Sequence, residues 1–132
     1  MLFGVNPVAL VVATVAAFVA STIWYIVFGK QRAKLLGRDP GTVGRPPPWK
    51  VLAELARNVI IAYAVTRLVM IPGAVAGLGT VGLAISLWVG FPVMILIGSV
   101  MWENVPWKLA AIHAGDWLVK LALILGVVSA LG

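Results

Sequence analysis

Residues 8–28, VALVVATVAAFVASTIWYIVF, followed at 29–49 by GKQRAKLLGRDPGTVGRPPPW, decide the fold. The first stretch carries no charge over 21 residues. An α-helix rises about 1.5 Å per residue, so roughly 20 residues cross a hydrocarbon core of about 30 Å. The second stretch, taken to residue 50, holds Lys30, Arg32, Lys34, Arg38, Arg45 and Lys50, six of the ten basic residues. A greasy helix followed by a Lys/Arg-rich loop is the pattern that keeps such loops in the cytoplasm.

The rest of the chain repeats the first stretch. Residues 50–71, 80–101 and 108–131 are further apolar runs, and the spacing predicts a helix over each. Composition agrees: 62% of the 132 residues are hydrophobic and 11% are charged, with a mean hydropathy of +1.08. A soluble domain has about 45–50% apolar and about 25% charged residues. A chain this short has too much surface for its volume to hide so much apolar side chain from water. The expected fold is all-α: a polytopic transmembrane four-helix bundle, one domain over residues 1–132.

Punctuation supports these boundaries. Asn6 can cap the first helix and Pro7 suits its first turn. The first helix has no basic segment before it and is longer than a signal-peptide core, so it reads as retained despite a cleavage-like FVAS. The run Gly44-Arg45-Pro46-Pro47-Pro48 forbids regular helix and makes a stiff spacer. Pro72-Gly73 ends the second long helix. Pro92 lies inside the third and predicts a kink, because it cannot donate to the carbonyl of Trp88. Trp102-Glu103-Asn104-Val105-Pro106-Trp107 makes a tight loop with aromatic anchors. With the basic loop 29–49 cytoplasmic, four passes place both termini outside, in a multi-pass protein of the cell membrane.

Several functions are excluded. The formal charge of +6 comes from a loop placed to meet anionic lipid, and no nucleic-acid reading module is present. There is no cysteine, so disulfides and thiolate chemistry are absent. Gly77-Leu78-Gly79-Thr80-Val81-Gly82 matches a dinucleotide fingerprint in letters, but lies between two apolar spans and not after a strand. No cofactor and no metal site is expected, since one His and one Asp make a poor ligand set. Ser86 and Ser99 have no evident tie to His113, so no catalytic residues are assigned.

The candidate polar site is on the fourth helix. His113, Asp116 and Lys120 fall within an arc of about 60°. Asp116 is about 13 Å into a core of about 30 Å. A charge there costs about 2.5–3.5 kcal/mol on insertion scales, so it should face the interior and have a partner. Lys120, four residues on, is in the favourable order for a pair. Arg67 reaches a similar height; it either brackets Asp116 or snorkels to headgroups. The group reads either as a proton or cation path, since His titrates near neutrality, or as a buried pair that sets helix register. At the interfaces, Glu54 should pair with Arg57, and Glu103 with Lys108. Lys30, Arg32, Lys34 and Arg38 are expected at lipid headgroups. Gly82, Ser86 and Gly90 recur every fourth residue and form a small-residue face that lets another helix approach; Ala110, Ala111, Ala114 and Gly115 offer the same. The indoles of Trp88 and Trp117 lie well inside the spans and need acceptors.

The order of Asn6-Pro7, Trp24-Tyr25, Phe28-Gly29-Lys30, Trp88, Gly90-Phe91, Trp102-Glu103, Pro106-Trp107-Lys108, Gly115 and Trp117 resembles the small membrane-protein family DUF1761. The resemblance implies a four-helix, mostly bacterial membrane protein with no established activity, and it supplies no catalytic residues. Asp116 and Lys120 depart from the residues usual in that family.

The functional expectation is a non-enzymatic structural or accessory membrane protein that packs with itself, as a homo-oligomer, or with a membrane partner. The alternative is a small oligomeric transporter or channel, proton-linked through Asp116 and His113. A lipid-acting enzyme using Glu103 or His113 is the third.

Overall fold

A computed structural model describes residues 5–37, 47–71, 73 and 79–131. Arg38, the Gly44-Arg45-Pro46 start of the proline run, Pro72 and most of the 72–79 turn lie outside the described residues, as does the Gly77-Leu78 start of the glycine motif. The protein is all-α, with no β-strand element among the described residues.

Helix α1 runs Pro7–Val27, and Asn6 Oδ1 accepts from the amides of Val8 and Ala9 at 3.0 and 3.5 Å. Two of the otherwise orphaned donors of the first turn are thereby satisfied. Asn6 Nδ2 also donates to the Leu131 carbonyl at 3.0 Å, which ties the start of the chain to its last helix. Phe28 then breaks the axis, and a short helix α2 follows at Gly29–Leu35. The sequence reading made all of 29–49 a loop. The structure corrects this, and the reason is local: Lys30-Gln31-Arg32-Ala33-Lys34-Leu35 are all good helix formers.

Helix α3 runs Pro48–Val69, with Pro48 in its first turn. Helix α4 spans Gly79–Trp102; within it Val89–Val93 form a π turn around Pro92. Where a kink was expected at Pro92, the helix has one widened turn, which gives the proline ring room against the preceding carbonyls. Helix α5 spans Trp107–Leu131, after a turn in which Asn104 adopts φ 57°.

Three of these helices, α1, α4 and α5, are long and apolar enough to cross a membrane. Helix α3, which carries Lys50, Glu54, Arg57 and Arg67, does not reach that measure. Among the described residues there are five helices where four were expected.

Helix α5 is the hub: it packs against α1, α2, α3 and α4, and α1 also packs on α3, while the backbones of α3 and α4 stay more than 8 Å apart, Cα to Cα, among the described residues. The core joins Ala13 and Ala17 of α1, Ala62 and Val65 of α3, Leu83 and Ala84 of α4, and Leu121, Ile124, Leu125 and Val128 of α5. Between α3 and α4 runs an apolar groove of about 370 Å³, floored by Trp117 and Leu121.

Helix α1 sorts its residues in an unusual way. Ala9, Ala13, Ala17 and Ser21, every fourth residue, are buried. Val8, Val11, Val15, Val19, Ile23 and Ile26 are 48–73% exposed. Small residues inside let the backbones approach closely, and the bulky aliphatic ones point outward, the reverse of a helix in a soluble protein.

Candidate functional site

The facing sides of α1, α2 and α5 bring polar groups into one region around Asp116 and His113, and α3 buries an amide of its own. The pair at its centre is intrahelical. Lys120 Nζ lies 3.0 Å from Asp116 Oδ2, and both residues are nearly sealed, at 4% and 2% exposure. One helical turn sets their spacing, and the orientation, acid before base, suits the helix dipole. Lys120 also sits 5.3 Å from the centre of the Trp117 ring, so its charge has a second partner in the aromatic face. Asp116 Oδ1, by contrast, is buried with no hydrogen-bond partner among the described residues.

One turn earlier on α5, His113 Nδ1 shares a hydrogen bond of 2.6 Å with the Tyr25 hydroxyl of α1. When the imidazole is neutral with its proton on Nε2, the phenol is the donor. The Arg32 guanidinium of α2 lies 5.2 Å from the Tyr25 ring centre. Asp116, Arg32 and Glu54 are the charged groups near enough to act on Tyr25, and Arg32, Asp116 and Lys120 are those that act on His113. Asn58 of α3, 1% exposed, is also buried, and both polar atoms of its amide lack a partner among the described residues.

Two tryptophans lock α5 in place. Trp24 Nε1 donates to the Ile112 carbonyl at 2.9 Å, and Trp88 Nε1 to the Ala114 carbonyl at 2.7 Å. A β-carbon on Gly115 would stand 2.3 Å from Trp24 Cζ2, so only glycine admits the indole there. The need of Trp88 for an acceptor is met as the sequence suggests. Trp117 instead packs beside Lys120 and on the groove floor.

The other sequence candidates fall elsewhere. Arg67 is exposed near the C-terminal end of α3. Gly82 is half-buried, while Ser86 and Gly90 are exposed, and nothing lies within 4 Å of a β-carbon built on Gly90. The Ser86 and Ser99 hydroxyls donate to the carbonyls of Gly82 and Ile95 on their own helix, at 2.8 and 3.3 Å. Lys30 and Lys34 are exposed, but Arg32 is half-buried against Tyr25. Glu54 pairs with Arg57 as expected. Glu103 does not pair with Lys108. The turn through Asn104 separates them, and the Lys108 ammonium lies 5.8 Å from the Trp107 ring centre.

Sequence reasoning missed Asn58 altogether, and placed Arg32 at lipid headgroups rather than against Tyr25. The signal for Asn58 was its place one turn after Glu54, as the amide that opens the apolar run Asn58-Val59-Ile60-Ile61-Ala62. No sequence signal tells that Arg32 folds back on Tyr25; that follows from α2 being helical.

A family model described as "Protein of unknown function (DUF1761)" matches residues 8–129. No curated protein and no solved structure matches.

Proposed function

The chain belongs to the DUF1761 family, and from that premise we propose that it is a four-pass membrane protein that works without catalysis. It packs through its outer faces against a second copy of itself or another membrane protein. The observation that carries this reading is the sorting of α1, with alanines turned inward and six Val and Ile side chains turned outward. In water such a surface is costly, at roughly 25 cal/mol per Å² of exposed apolar area. In lipid it is neutral, and small residues between helices are what packing then requires.

In this reading α3 is the fourth pass. Its charges Lys50, Glu54 and Arg57 gather in its first three turns, beside the basic loop, and only Arg67 follows. The exposed Arg67 extends its stem toward the opposite headgroups. The loop 29–49 stays cytoplasmic, with Lys30 and Lys34 at anionic headgroups, and both termini lie outside. The assembly face is the Gly82/Ser86/Gly90 side of α4, which no helix among the described residues covers at Ser86 and Gly90. The test is in-membrane crosslinking of wild type and Gly90→Leu. The variant is expected to lose the crosslinked species; an unchanged profile refutes the assembly face.

One observation favours a second reading, a proton-linked transporter or channel. The Tyr25–His113 bond and the Asp116–Lys120 pair follow one another along α5 at a spacing of one turn, and buried ionisable groups in a span mark proton paths. Flux into liposomes should then fall with Asp116→Asn. Equal flux in wild type and variant rules it out.

A further inference from the structure

Helix α3 turns Asn58, Ala62, Val65 and Thr66 toward the core, and α5 turns Asp116, Lys120, Leu121, Ile124 and Leu125. Ala62 and Val65 meet Leu121 and Ile124 in one cluster. One turn toward the N-terminus of each helix stand Asn58 and Asp116. Tyr25 of α1 stands within electrostatic reach of both Asp116 and Glu54, and Asn58 is one turn beyond Glu54, which brings Asn58 and Asp116 to a similar depth. Both are sealed from the exterior, at 1% and 2% exposure, and three of their polar atoms have no hydrogen-bond partner among the described residues: Asn58 Nδ2, Asn58 Oδ1 and Asp116 Oδ1. Buried amides and carboxylates are nearly always hydrogen-bonded, and those without a protein partner are satisfied by internal water.

We infer that Asn58 and Asp116 hold an internal water between α3 and α5, a hydration site at mid-depth in the bundle. The needs of the three atoms select the ligand. Asp116 Oδ1 and Asn58 Oδ1 require a donor, and Asn58 Nδ2 requires an acceptor. Water supplies both. A metal cation satisfies the oxygens alone, and it would add positive charge where Lys120 already pairs with Asp116. An anion would face the carboxylate. The inference does not depend on whether the protein assembles or transports. Its consequence is that α3, otherwise held by small apolar contacts, is tied to α5 through a polar bridge.

The experiment is a structure of the wild-type protein in lipid nanodiscs at a resolution that shows water. A density peak within hydrogen-bonding distance of both Asp116 Oδ1 and the Asn58 amide is expected. An apolar gap without a peak, or a direct amide–carboxylate bond, overturns the proposal. Thermal unfolding of Asn58→Leu gives a second decision by sign. Loss of a water-bridged amide strands the carboxylate and lowers Tm, whereas removal of a dry, unsatisfied amide leaves Tm unchanged or raises it, which also overturns the site.

Discussion

Replacing Gly115 with alanine should loosen the joint between α1 and α5. The new β-carbon would stand 2.3 Å from Trp24 Cζ2 and 2.7 Å from Cη2, far inside van der Waals contact, and both atoms belong to a rigid ring. The ring cannot simply swing away. Its Nε1 is bonded to the Ile112 carbonyl at 2.9 Å, and its face lies 4.7 Å, centre to centre, from Phe28. Overpacking of a fitted contact costs about 1–3 kcal/mol. If the indole is expelled, its hydrogen bond is lost as well, for about 1 kcal/mol. Against this, alanine is about 1 kcal/mol better than glycine within a helix. The net is a loss of roughly 1–3 kcal/mol, a drop in Tm on the order of 5–10 °C for a chain of this size. Thermal unfolding in detergent, followed by Trp fluorescence or helical circular dichroism, reads it directly. Gly98→Ala, where an added β-carbon meets nothing within 4 Å, is the control and should be neutral or slightly stabilising. Trp24→Phe shortens the ring, so adding Gly115→Ala to it should cost much less than Gly115→Ala alone. A Gly115→Ala protein with wild-type Tm, or full additivity with Trp24→Phe, would refute the close-approach argument.

Breaking the Asp116–Lys120 pair from one side, by Asp116→Asn or Lys120→Met, should cost about 3–5 kcal/mol in denaturant unfolding, because one charge is left buried alone. The double variant should recover much of that; equal loss in the double would mean the two charges act separately. Tyr25→Phe should lose about 0.5–1.5 kcal/mol through the bond to His113, and should cost nothing further in a His113→Leu background. Asn6→Ala removes both the cap of α1 and the link to Leu131; a loss of about 1–2 kcal/mol, with faster protease trimming at the C-terminus, is expected, and unchanged trimming would show that the link does not hold the end.

The long helices were legible because each is an apolar run near the length of a bilayer core, bounded by Asn-Pro, Pro-Gly or aromatic turns. Within the site, the Asp116–Lys120 pair was equally legible, since helical periodicity alone puts residues four apart together. The Tyr25–His113 bond was not. The two residues are 88 positions apart, and nothing in the one-dimensional pattern chooses which side of α1 meets α5. The same limit explains the small-residue faces. Gly82/Ser86/Gly90 and Ala9/Ala13/Ala17/Ser21 carry the same spacing, yet the chain buries the second and leaves Ser86 and Gly90 of the first exposed. Glu103 and Lys108 failed to pair because separation along a turn says little about direction once Asn104 takes a positive φ.

Local covalent pattern therefore determined that the chain is helical, where its long helices begin and end, and that three of them suit a lipid core, since those properties depend on neighbours within a few residues. Only the tertiary structure decided that α5 is the hub, that α3 and α4 stand apart around a groove, that Asn58 is sealed in the core, and that Tyr25 and Arg32 join the polar region of Asp116 and His113. Those outcomes depend on the rotation of each helix about its own axis, which is set by side chains far apart in the chain competing for the same contact.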